Sequence, residues 1–199
     1  MTPSVFFEEQ LPRLLGDTVE EHFHRCCEEE IAISFLISGD EGLGAGRWTF
    51  GMSSRGLIVS AGEGDLIPLM TICTPLEDWP ETRPRIELWL GRLSLRLSAW
   101  TRKPWDRTKL KKFSSFSGTI RLTASGHLDD RGGERDLVAE VFLNSYTREG
   151  EQGFGVELDS SDYDAILQGR LGPLKAFADG VFRFSGELGL GMRLMIAVR

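Results

Sequence analysis

At 199 residues, with 41% apolar and 27% charged residues, the chain is long enough to bury a sizeable core and has the make-up of an ordinary globular protein. Net charge is −7, and no run of about eighteen apolar residues suits a membrane span. Three cysteines (Cys26, Cys27 and Cys73) are too few for a disulfide framework, and the start lacks a signal-peptide pattern, so a reducing, cytoplasmic setting is expected.

Residues 5 to 30 read as helical. Phe6, Leu11, Leu14, Leu15 and Val19 recur at helical spacing, with Pro12 and Gly16 as interruptions and Asp17 or Thr18 as the cap of a second helix. Within it, His22, His24, Cys26 and Cys27 form the sharpest metal candidate, since His22 and Cys26 lie one turn apart. A zinc site needs further ligands that the spacing does not supply, so no metal and no cofactor is expected.

A meander of strands follows. Ile31, Ile33, Phe35 and Ile37 share one face, Gly39 to Gly46 form a turn, and Trp48, Phe50 and Met52 alternate. Leu57 to Ser60 and Leu69 to Cys73 supply two more strands. The order of strands without intervening helices predicts a largely antiparallel sheet. The glycines at 42, 44 and 46 sit between strands and read as a hairpin loop rather than a phosphate cradle.

Arg85 to Trp100 fits two readings: Ile86, Trp89, Leu90, Leu93, Leu97 and Trp100 form a helical stripe, while Leu93, Leu95, Leu97 and Ala99 alternate as in a strand, and length favours the helix. Between Arg83 and Lys112 stand ten Lys and Arg against two acids, a local charge of +8 that leaves −15 elsewhere. Trp100, Arg102, Lys103, Trp105, Lys111 and Lys112 have the composition of an interfacial membrane contact. Pairing of this basic stretch with the acidic remainder, or with another subunit, explains the same residues, and nucleic acid is the weakest reading. Further strands are expected near Ile120, at Leu137 to Leu143 and at Phe154 to Leu158.

The last forty residues are the most articulate. Ser161 and Asp164 suit a capping box, Ile166 and Leu167 the buried side of a short helix, and Gly169 its end. Pro173 begins a second helix with Leu174, Phe177 and Ala178 on one face, stopping at Gly180. Phe182 and Phe184 alternate in a half-buried strand closed by Gly186, and Leu188 to Val198 is almost wholly apolar. No nucleophile elbow occurs. A cysteine with the distant His127 is the remaining catalytic pairing to consider, and the carboxylate runs read as caps and solvated faces.

The run from Ser161 to Leu194, with its acidic helix start, Gly-Arg-Leu-Gly-Pro-Leu-Lys-Ala-Phe turn and Gly-Leu-Gly-Met-Arg-Leu tail, resembles the C-terminal half of the sterol carrier protein type two domain. Residues 31–79 resemble its first half more faintly. The resemblance implies an α+β fold, a sheet covered on one face by helices, an apolar tunnel between the layers, and no catalysis. It implies a lipid-like ligand (fatty acyl chain, sterol, isoprenoid or quinone) lined by Ile166, Phe177, Phe182, Phe184, Met192 and Met195. A non-enzymatic scaffold or accessory subunit with a filled tunnel, partnered by a protein or a second copy, is the alternative. Two organisations compete: a diverged tandem of segments 1–105 and 106–199 packed as one unit, or one domain with an insertion at about 80–150. Ile33 to Gly39 then corresponds to Ile120 to Gly126, and Thr74 to Trp79 to Asp159 to Tyr163.

Overall fold

The structure, a computed structural model, describes residues 1–15, 31–53, 56–88, 114–128, 132–147 and 153–198. The metal candidate at residues 22–27 and the basic stretch at residues 89–113, with Trp100, Arg102, Lys103, Trp105, Lys111 and Lys112, lie outside them.

Eight strands form one sheet: β1 (Ile31–Ser38), β2 (Gly46–Ser53), β3 (Gly56–Ala61), β4 (Met70–Pro75), β5 (Gly118–Leu128), β6 (Glu134–Leu143), β7 (Gly153–Asp159) and β8 (Arg183–Gly186). Their spatial order is β3-β2-β1-β4-β6-β5-β7-β8. The α+β class holds, but the sheet is mixed. β1 runs parallel to β4, and β5 runs parallel to β7, while the other pairings are antiparallel. The meander argument fails because alternation reports which face a residue occupies, not which way the chain runs when it returns. After β3 the chain crosses to the far side of β1, and β7 makes the corresponding return beside β5.

These two returns share a register. Ser38 pairs with Pro75 and Ser125 with Asp159, and in each case the next residue of the returning strand begins a helical turn. Antiparallel β2 lies on the other flank of β1 as β6 lies on that of β5.

Cross-strand partners share a face, so the register lines up one apolar side through Trp48, Phe35, Ile72, Val141, Ile120 and Phe154. The described helices that enter the two buried clusters pack there. α1 (residues 3–15) inserts Phe6, Phe7 and Leu11, each fully buried, against Ile33, Phe35, Ile37, Trp48 and Phe50. Phe6 and Phe7 are sequence neighbours, yet both point inward. The helix widens to a π turn over Phe6–Gln10, where Leu11 N–H bonds the carbonyl of Phe6. Pro12, expected to interrupt, instead stands within this helix.

The opposite face is polar and partly closed by loops. Thr49 Oγ1 donates to Gly62 O at 2.8 Å and Thr71 Oγ1 to Ser145 O at 2.6 Å. Tyr146 OH donates to Leu66 O at 2.8 Å, and Arg47 Nη1 to Tyr146 O at 2.7 Å.

After the 3₁₀ turn Leu76–Asp78, α2 (residues 79–88) begins well before Arg85, with Trp79 buried and its Nε1 donating to Met1 O at 2.9 Å. Ion pairs tie this region to the later strands and helices. Arg85 Nε donates to Asp164 Oδ1 at 2.9 Å, and Arg135 pairs with buried Asp78 and with Glu81 at 3.2 Å. Part of the basic excess thus pairs within the chain, as Arg83 also does with Glu87.

Candidate ligand-binding site

The candidate residues come from three short elements and a terminal helix. α3 (Ser160–Leu167) starts two residues earlier than expected. Asp159 is its cap residue, its side chain making no capping hydrogen bond, so Ser161 lies inside the helix and forms no capping box. Ile166 and Leu167 are half-buried, and Gly169 ends the turn at φ +67°. α4 (Pro173–Ala178) does start on its proline. Its anchor is Ala176, which is fully buried, whereas Phe177 is 46% exposed. The spacing argument had the wrong face, because one turn and a half of helix fixes no stripe and a small residue fits closest.

β8 hydrogen-bonds along β7, with Phe184 opposite Val156 and Gly186 opposite Phe154. All four of its residues are exposed, so it is not the half-buried strand expected. Arg183 Nη2 holds this edge down, 3.0 Å from Glu157 Oε1 and 3.0 Å from Asp159 Oδ1. α5 (Leu188–Val198) is the apolar tail. Leu190 is its anchor, 1% exposed, buried with Val141 and Leu143. Gly191 lies against the ring of Phe154, where any Cβ would collide with the ring. Gly191→Val is therefore expected to lift α5 and lower the thermal midpoint by several degrees, corresponding to about 1–3 kcal/mol of overpacking. A calorimetric scan checks this.

What these elements assemble is a group of four rings with Phe184 at its hub. Phe154 stacks on Phe184 at 5.5 Å between centroids, Phe177 lies at 5.8 Å and Phe182 at 5.9 Å. Such separations are those of favourable aromatic contacts. Yet the group is not sealed: Phe184 is 39% exposed, and on α5 Leu188 and Met192 are 54% and 60% exposed. Of the expected lining residues, the structure joins Phe177, Phe182 and Phe184 directly. Ile166 stands on α3, Met192 on the outer side of α5, and Met195 on α5 with its side chain outside the described part. Phe154 was missed as a member. Its period-two alternation with Val156 and Leu158 on the apolar side of β7 was the available signal.

Charges around this surface are paired: Lys175 with Asp179, Arg193 with Glu187 at 3.5 Å, and Arg183 as above. The surface therefore offers apolar area and polarisable rings rather than an uncompensated charge. A separate recess of about 340 Å³ lies at the outer side of α1, lined by Met1, Val5, Glu9, Gln10, Arg13 and Leu14.

Cys26 and Cys27 lie outside the described residues, and Cys73 does not meet His127. His127 Nδ1 lies 3.4 Å from Ser160 Oγ, while Cys73 neighbours Ser38 on β1. Burial pushes the Cys73 thiol up, against what a nucleophile needs. Among the described residues no cluster of His, Cys, Asp and Glu could hold a metal ion, and no described helix is long and apolar enough to cross a membrane.

No protein-family model and no curated protein matches the chain. Among solved structures, it is similar to a conserved hypothetical protein of Thermus thermophilus, solved in solution, whose description offers sterol carrier protein as a possibility. Identity is 22%, the match covers 45% of this chain and 68% of that one, and the TM-score is 0.30. A likeness so slight bears no argument about ligand.

Proposed function

We propose that the protein binds an apolar or amphipathic lipid-like ligand, such as a fatty acyl chain, sterol, isoprenoid or quinone, without catalysing a reaction on it. The observation that carries this reading is the open ring group at Phe154, Phe177, Phe182 and Phe184, flanked by Leu188 and Met192 of α5. Apolar area left in contact with water is a source of binding free energy, at roughly 25 cal/mol per Å² when a ligand covers it. Methionine beside aromatic rings adapts to ligands of irregular shape. The resemblance of residues 158–199 to the sterol carrier domain points to the same place. On this reading the chain is a diverged tandem, its two parallel returns being the repeated unit.

Mass spectrometry of organic extracts of the purified protein, with titration of a fluorescent fatty acid, tests the proposal. A bound lipid, or saturable binding, is expected. Phe184→Ser should weaken that binding about tenfold, the loss of one aromatic contact surface, at a cost in stability of about 1–3 kcal/mol from its three ring contacts. Neither a bound lipid nor fatty-acid binding would sink the carrier reading. It would favour the second one, a scaffold whose apolar space is filled. That alternative draws on the N-terminal segment, where Phe6, Phe7, Phe35, Trp48, Phe50 and Trp79 are each no more than 5% exposed.

A further inference from the structure

The two edges of the sheet are unlike. At one end, β8 has four residues and is pinned by the Arg183 ion pairs to Glu157 and Asp159. Shortness and charge are the usual protections of an edge. At the other end, β3 runs for six residues, Gly-Leu-Ile-Val-Ser-Ala, without a charge or a proline, and Ile58 is 60% exposed. No described strand pairs with its outer side.

Backbone alternation says which groups face outward. Gly62 N–H bonds Arg47 O at 2.8 Å, one step past the last β2–β3 pair. Antiparallel bonding recurs every second residue, so Ser60, Ile58 and Gly56 turn their N–H and C=O groups toward β2. The groups of Leu57, Val59 and Ala61 then point away from the sheet.

We infer that β3 is a self-association edge, on which a second copy of this chain pairs antiparallel about a two-fold axis at Val59. In that register Val59 faces its own counterpart and Leu57 faces Ala61 of the other copy, and about six hydrogen bonds close. Every outward group of the strand finds a partner without a shift. Exposed Ile58 lies opposite Ser60 of the other copy on one face, and Leu57 and Val59 extend the apolar face across the axis. An uncharged strand brings no like-charge repulsion to this meeting. A heterologous strand would serve the backbone equally, but only an identical one is guaranteed this match by symmetry.

Sedimentation equilibrium across concentration is the test. The area is small for an obligate interface, so reversible formation of a two-chain species is expected by about 100 μM. Val59→Pro removes an N–H that the intramolecular ladder does not use, which an edge strand tolerates. It should leave the circular dichroism unchanged and return the protein to one chain. Val59→Cys provides a readout independent of that variant's folding. Its two-fold mate lies about 5.5 Å away Cα to Cα, within disulfide range. Mild oxidation should cross-link it at least tenfold faster than Ser185→Cys on β8, with the wild type as the background for native cysteines. A single-chain mass at every concentration up to about 1 mM, or equal cross-linking of the two cysteine variants, overturns the inference.

Discussion

Phe7→Ala is expected to destabilise the protein by about 3–5 kcal/mol, the largest effect of any single truncation discussed, read as a shift of the urea midpoint at unchanged slope. Phe7 is fully buried and contacts five other rings: Phe6 at 5.1 Å, Phe35 at 5.1 Å, Trp48 at 4.9 Å, Phe50 at 5.8 Å and Trp79 at 5.5 Å. Those partners come from α1, β1, β2 and α2, so no single element can move to fill the space. A cavity enclosed by rigid rings collapses poorly, and cost rises with the volume left. Domains are stable by only about 5–15 kcal/mol, so the variant should have a substantial unfolded fraction when mildly warmed. A loss below about 1 kcal/mol would mean that α1 is not seated as described.

Arg135→Ala is the second large effect, and it carries a pH signature. Asp78 is 4% exposed, and burial already raises its carboxyl above the ordinary value despite the neighbouring Arg135 guanidinium. Removing the arginine leaves a buried carboxylate facing Glu77 and Glu81, at a cost of about 2–3 kcal/mol at neutral pH. A raised folded-state value means that the native protein holds its proton more tightly than the unfolded chain does. Stability therefore falls as pH rises through that value and recovers as pH drops toward the ordinary carboxylate range. The variant should show this recovery on acidification more steeply than the wild type, which keeps the counter-charge. Adding Asp78→Asn to the variant should restore most of the loss at neutral pH and flatten the dependence. If the double variant is as unstable as the single one, the cost lies in lost packing of the arginine stem.

Where sequence reasoning succeeded, one physical signal decided the matter. Alternation of Ile31, Ile33, Phe35 and Ile37 placed β1 and its buried face, and Pro173 and Gly169 punctuated the C-terminal helices. It went astray where a decision belonged to distant parts of the chain. Strand direction at β4 depends on the route of the loop after β3, which no local pattern encodes. Among the described side chains of α4, Ala176 rather than Phe177 is buried, and six helical residues carry too short a stripe to tell the two apart. Phe6 and Phe7 both face inward where the helix widens to a π turn, which a fixed helical period does not anticipate. At the candidate site the residue types were legible, and three of the rings do meet. Their exposure was not legible, since it depends on how far α5 extends over β7 and β8.

The two parallel returns also bear on the order in which the chain acquires its structure. Ile33 reaches Met70 and Thr119 reaches Gly153 through comparably short stretches of chain. Closing loops of that size costs roughly 3 kcal/mol of chain entropy apiece. The β4–β6 seam joins strands β1–β4 to β5–β8 through four residue pairs, Met70↔Leu143 to Cys73↔Glu140. During synthesis β1–β4 can pair before β5 has left the ribosome, with a bare edge at β4 awaiting β6. Until then that edge is open to wrong partners, so the interval between the two closures is when the nascent protein is most prone to aggregate.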